Sequence, residues 1–296
     1  MAFSLAAGMI AATPALAQRV PGRELLDFPL GSLAEPPALS VEAGDGFRNP
    51  ASLLIGRPGK FRLVTSALLS PPEQGVSAQL VALSYALPPG TTVGVSVVRA
   101  AVDGLVETID SPDAVGGEVP YGTFVLSASA AHKYARNVAS GVALRYRSGQ
   151  LAESRRGALG LDAGVIADRI TRRDLRVGFS SFLWRPGDGG GSEASYAVAG
   201  DGRLAGPDSL HSARAGYSFT ATGSREREHY VYASGRYEIW EMRGGVARAR
   251  VAGEASTRLR LSIGLHYARY TIGVARDENI GHVAPSYQFT LSTLLP

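Results

Sequence analysis

The feature that most constrains this chain is a two-residue alternation of apolar and polar side chains that keeps returning. Its clearest instance spans residues 257–267, where Leu259, Leu261, Ile263, Leu265 and Tyr267 alternate with Arg258, Arg260, Ser262, Gly264 and His266. Successive side chains of a β-strand point to opposite faces, so this segment carries one apolar and one polar face. The pattern recurs at 81–87, 93–97, 122–130, 141–147, 159–165, 175–180, 195–199 and 213–219. It continues through Tyr230 and Tyr232, Tyr237 and Ile239, then Ala247, Ala249 and Val251 against Arg248 and Arg250, and closes at Tyr287, Phe289 and Leu291. These are about fourteen runs of roughly ten residues, the segment length of a transmembrane β-barrel. No stretch of comparable length carries the period of an α-helix.

With so many strands, a soluble barrel would have an interior too wide for side chains to fill. The opposite arrangement avoids that problem: the Leu/Val/Ile/Tyr face meets lipid, and the Gly/Ser/Thr/Arg face lines a lumen. Hydrocarbon leaves no backbone group a water partner, so the sheet must close on itself. Tyr85, Tyr146, Trp184, Tyr217, Trp240, Tyr267 and Tyr287, near strand ends, suit the aromatic girdles at the two interfaces. Short connections (88–90, 268–269) alternate with longer polar ones (103–120, 186–193, 222–228), as in outer-membrane barrels. Residues 60–296 are therefore read as an all-β transmembrane antiparallel barrel. A secreted soluble β-protein is the alternative that alternation alone leaves open.

Ahead of the barrel, residues 3–17 form a short apolar run ending in Ala15-Leu16-Ala17, an A-x-A cleavage pattern. Residues 1–17 are accordingly expected to be a signal peptide, and the destination to be the bacterial outer membrane. Residues 18–59 are interrupted by Pro21, Pro29, Pro36, Pro37, Pro50 and Pro58, which remove backbone donors and preclude a continuous ladder. Apolar clusters such as 51–55 must nevertheless pack somewhere, and the lumen is the place expected for them.

Chemistry is sparse. With no Cys there is no disulfide framework or thiolate metal site. Lys occurs only at 60 and 133, and the net charge of +4 comes from scattered Arg, without the basic run that nucleic acid would call for. His132, His211, His229, His266 and His282 show neither a nucleophile–base pairing nor metal-ligand spacing, so no enzyme, metal or cofactor is expected. Asp201-Gly202 and the run 187–191 read as turns. Arg145, Arg147, Arg176, Arg214, Arg248, Arg250, Arg258 and Arg260 fall on the face assigned to the lumen, with Asp162 as an ion-pair partner. That inner face reads as basic and polar, which argues against a continuous apolar path.

Three segments carry a family resemblance. Residues 44–53, with Asn49-Pro50-Ala51 at their centre, together with 159–165 and 175–179, resemble the outer-membrane barrels of the FadL superfamily, most closely its PorV/PorQ-type branch. The resemblance implies fourteen strands, a lumen occupied by the N-terminal segment, and Asn49, Pro50 and Ala51 as a plug motif. In the fatty-acid transporter branch that segment is a hatch for hydrophobic substrates; in the PorV branch the barrel is a partner or shuttle in protein secretion. The chain is shorter than the fatty-acid transporters, which argues against a large extracellular collecting region. Two functions follow as expectations: passage of small molecules, hydrophobic ones among them, or partnership with a secretion-system protein. Outer-membrane lipid is the expected surroundings in either case.

Overall fold

A computed structural model describes residues 20–27, 34–40, 46–55, 60–108, 115–171, 174–185, 193–208, 210–223, 226–251, 254–278 and 285–295. The expected signal peptide and the glycine run 187–191 lie outside the described residues. The strands are β1 (Phe61–Leu69), β2 (Val76–Leu87), β3 (Thr91–Val102), β4 (Val106–Thr108), β5 (Val115–Glu118), β6 (Tyr121–Ala135), β7 (Val138–Leu151) and β8 (Ser154–Ala167). After them come β9 (Arg176–Phe182), β10 (Ser195–Ala205), β11 (His211–Thr222), β12 (Glu226–Tyr237), β13 (Trp240–Val251), β14 (Glu254–Tyr267), β15 (Tyr270–Asp277) and β16 (Ser286–Leu295). β4 and β5 pair as a small hairpin within the 103–120 connection. The other fourteen form an antiparallel meander that β1 closes against β16, from Phe61 opposite Leu295 to Leu69 opposite Tyr287.

An even strand number brings both ends of the barrel chain to one rim. Very short turns at 88–90, 136–137, 238–239 and 268–269 lie on that rim, while the long connections 103–120, 183–194 and 278–285 lie on the other. The 222–228 connection is shorter than expected, because β11 and β12 extend until only 223–225 separate them.

Burial is inverted relative to a soluble protein. Val142 and Val231 are each 61% exposed, whereas Arg145 is 0% exposed and Asp162 2%. Val81, Val95, Leu126, Leu144, Leu261, Ile272 and Phe289 continue the exposed apolar wall. Such a surface is stable only in an apolar solvent, and a closed ladder is what that solvent demands. Exposed aromatics gather near both rims: Tyr134, Tyr237, Trp240 and Tyr267 at the short-turn rim, and Trp184, Tyr196, Tyr217 and Tyr287 towards the other.

Two strands depart from the expected facing. On β12 and β13, Tyr230, Tyr232, Ala247 and Ala249 point inward and are buried, while Arg248 and Arg250 stand exposed on the outer wall. The ladder fixes this, since Tyr230 lies opposite Ala247, and Val231 opposite Val246. The period is as read, but polarity is a poor guide here: each tyrosine has a lumen partner for its hydroxyl, Ala34 O at 3.1 Å for Tyr230 and Asp201 Oδ2 at 3.0 Å for Tyr232. Asp201-Gly202 is likewise no turn; both residues lie within β10, and Asp201 is buried in the lumen.

The described N-terminal residues run inside the barrel as three short 3₁₀ turns, Glu24–Leu26, Pro37–Leu39 and Pro50–Leu54. Glycines on the inner wall make room for them. A Cβ on Gly164 would sit 1.8 Å from Asn49 Oδ1, and one on Gly141 would sit 2.5 Å from the Pro50 carbonyl carbon. The wall is bare where the segment presses on it.

Candidate functional site: a lumen with two chemistries

The wall encloses a lumen whose lining changes character around the circumference. On β1, β2, β3 and β6 the inward positions include Val64, Leu68, Ala78, Leu80, Ala82, Val98, Ala100 and Val125, all buried, with the small hydroxyls of Ser66, Ser84, Thr92, Ser96, Thr123 and Ser127 set among them. Leu25, Leu26 and Phe47 of the N-terminal segment pack against this sector. The inner face is therefore not uniformly polar, contrary to expectation. In β2, the run from Ala78 to Leu83 is apolar on both faces except at Gln79, so alternation gives no sign of which side is which.

From β7 round to β15 the lining carries paired charges, beside a smaller apolar cluster in which Ala139, Ile166, Ala197 and Ala199 pack against Ala38, Leu39 and Ala51 of the segment. Arg145 is wholly buried: Nε donates to Asp162 Oδ2, Nη1 to Ser127 Oγ at 2.8 Å, and Nη2 to the Phe47 carbonyl. Its guanidinium lies beside the Phe47 and Phe182 pair, 4.7 Å from each ring centroid, a cation–π contact with both. Arg176 and Arg214 converge on Asp201 at 2.7 and 2.6 Å. Arg260 bridges Glu228 (2.7 Å) and Asp277 (2.8 Å), and Arg258 also pairs with Glu228. Arg243 meets Glu35 of the N-terminal segment at 3.3 Å and Glu241 at 3.0 Å, and Glu241 in turn meets His266 at 2.9 Å. Arg147 pairs with Glu193 at 2.7 Å. Each cation's desolvation is offset by a carboxylate within reach, which is the condition for keeping charge inside.

Of the residues expected in the lumen, Arg145, Arg147, Asp162, Arg176, Arg214, Arg258 and Arg260 are placed there, while Arg248 and Arg250 are on the outer wall. The balancing acids Asp201, Glu228, Asp277, Glu193 and Glu241 were not expected. Asp201 follows Ala197 and Ala199 at the same two-residue spacing, a signal its Gly neighbour disguised.

Asn49, Pro50 and Ala51 sit where the segment meets the wall. Asn49 is fully buried; its Oδ1 accepts from the Ala51 N–H at 3.0 Å, and its Nδ2 donates to Ala38 O at 2.6 Å and Phe179 O at 3.2 Å. One amide thus caps its own 3₁₀ turn, ties it to the preceding one and bonds the barrel. Further along the lumen, towards the long-connection rim, the Val20 N–H donates to Glu193 Oε1 at 2.9 Å, and Arg147 donates to the carbonyls of Val20 and Pro21.

At the β8–β9 seam, direct pairing covers only Gly164 opposite Ser180 to Ala167 opposite Val177, followed by an isolated bridge between Leu161 and Trp184. Between them β9 bulges inward. Side chains substitute for the missing ladder: the Ala163 N–H donates to Ser181 Oγ at 2.9 Å, and the Leu183 N–H to Asp162 Oδ1 at 2.6 Å. Leu183 at the bulge has φ +56°, in the left-handed region. The bulge drives Phe182 into the lumen, edge-on to Phe47 at 5.4 Å.

Fold and lumen together define a class: a closed transmembrane β-barrel occupied by its own N-terminal segment. No protein-family model matches the sequence, and no curated protein matches it. Among solved structures, the chain is similar to the CymD monoaromatic hydrocarbon channel, with TM-score 0.60 and 13% identity over 89% of this chain and 96% of that one. It is similar also to the toluene transporter TodX of Pseudomonas putida, with TM-score 0.59 and 9% identity over 89% and 95%. A FadL homologue of Pseudomonas aeruginosa follows, with TM-score 0.55 and 12% identity over 93% and 98%. At these identities the likeness establishes the fold. It agrees with the broader FadL-type resemblance and gives no support to the narrower PorV/PorQ-type one.

Proposed function

We propose that this barrel passes small hydrophobic molecules across the bacterial outer membrane, along the contact between its N-terminal segment and the apolar sector of its wall. The observation that carries this reading is the sector itself: Val64, Leu68, Leu80, Val98 and Val125 facing Leu25, Leu26 and Phe47. The aliphatic side chains of this sector hold no hydrogen bonds of their own that parting them would break, and an apolar guest restores the contacts it displaces. Opening the charged side would strand buried guanidiniums at several kcal/mol each. The neighbours named as hydrocarbon channels and toluene transporters share the fold and support the substrate class.

The test is uptake of radiolabelled toluene by cells that lack hydrocarbon channels of their own and express this barrel. Wild type should raise the uptake rate, and Leu80→Asp should abolish the gain while the barrel still inserts and shows a heat-shifted band on a gel. Equal uptake with and without the protein overturns the proposal. A second reading, a non-transporting barrel that partners a secretion system, draws on the ties that hold the segment at both Val20 and Asn49. An inserted barrel that passes no hydrocarbon would favour it.

A further inference from the structure

The arginines of the lumen are paired with carboxylates; two arginines of the outer wall are not. Arg227 on β12 and Arg248 on β13 have no carboxylate partner among the described residues. Arg227 lies directly opposite Arg250, and Arg248 directly opposite His229, all on the outer face and near the long-connection rim. Arg227 and Arg248 are therefore diagonal neighbours on one face, and two guanidiniums so placed repel unless an anion sits between them. Tyr217 steadies the patch, its hydroxyl 2.6 Å from His229 Nδ1.

The same outer face of β13 reads Met242, Gly244, Val246, Arg248 from the short-turn rim towards the other. Around Gly244 the wall hollows into an apolar trough of about 630 Å³, walled by Met242, Leu261, Ile263 and Val274. Four residues of strand separate Gly244 from Arg248, roughly 13 Å at about 3.3 Å per residue. A cationic patch thus stands near the long-connection rim, with an apolar groove on the same strand further from it. That is the profile of an amphiphile.

We propose that the outer wall of β12 to β15 is a binding site for a phosphorylated acyl lipid of the outer leaflet, with its phosphate on Arg227 and Arg248 and an acyl chain in the trough. The site rests on the membrane placement of the barrel, not on the passage of hydrocarbons through it. Phosphate matches guanidinium in charge and in paired hydrogen-bond geometry, and the lipid-facing side of the wall brings that group to this rim.

The test uses the full-length barrel purified in mild detergent, loaded with diphosphorylated lipid A or its dephosphorylated form, and examined by native mass spectrometry. Wild type should retain the phosphorylated lipid through detergent exchange at least several-fold better than the dephosphorylated one. Arg227→Gln/Arg248→Gln should remove that preference, and Gly244→Leu, which fills the trough without touching charge, should lower retention of both lipids. A heat-shifted band verifies that each variant is folded. Equal retention of the two lipids by wild type overturns the proposal whatever the variants do, as does an undiminished preference in the folded double variant. A wild-type barrel that never inserts into membranes would instead undo the membrane reading itself.

Discussion

On β1, β2, β3 and β6 the N-terminal segment meets mainly valine, leucine and small hydroxyls; on β7 to β15 it meets guanidinium, carboxylate and amide beside a smaller apolar cluster around Ile166. One segment is thus held by two kinds of contact with different tolerance for change. Apolar contacts are non-directional and exchange partners at little cost, whereas buried ion pairs demand their partners and penalise any vacancy. If the barrel acts as proposed, the N-terminal segment should give way first on its apolar side.

The comparison breaks most severely at Asp162→Asn. Arg145 would stay charged, buried and unpaired, and the seam would lose the charge that holds the Leu183 amide. The expected cost is about 3–5 kcal/mol, read as a fall in the temperature of the heat-modifiability transition in detergent. Leu80→Ala tests the other half. It should cost about 2–5 kcal/mol if the sector packs as a core, with the low end expected because the segment beside it can shift. A loss as large as that of Asp162→Asn would mean that the apolar side is as rigid as the charged one.

Asn49→Ala addresses the join between segment and wall. It should cost about 1–3 kcal/mol by leaving the Ala38 and Phe179 carbonyls without their donor. Proteolysis should then reach residues 34–55 while the strands stay protected.

The smallest effect concerns pH, at the short-turn rim of the charged half. Burial works to raise Asp174, but hydrogen bonds from Arg203 and the charge of Arg214 outweigh it and hold the carboxyl below its ordinary range. A depressed carboxylate contributes stability that is fully present above the unfolded value and is lost as the pH falls through the folded one. Hydrogen exchange around Asp174 should stay slow from neutral pH down to the ordinary carboxylate range and accelerate only below it. Acceleration already near neutral pH would contradict the pairing.

The period-two alternation was legible at once, because strand geometry imposes it on every residue. From it came the strand count, the closed sheet and the outward Val142, Leu144, Leu261 and Ile263. Prolines in 18–59 marked the segment that joins no ladder, since a proline cannot donate. What alternation does not encode is which face is which when both are apolar, as in β2, or when arginine stands outside, as at Arg248 on β13. Nor does it name partners: Asp162 is a diagonal neighbour of Arg145 on the next strand at a separation of seventeen residues, and Glu35 finds Arg243 two hundred and eight residues away. Those choices belong to closure, because only the closed ladder fixes every strand's register at once and so brings distant side chains into one lumen.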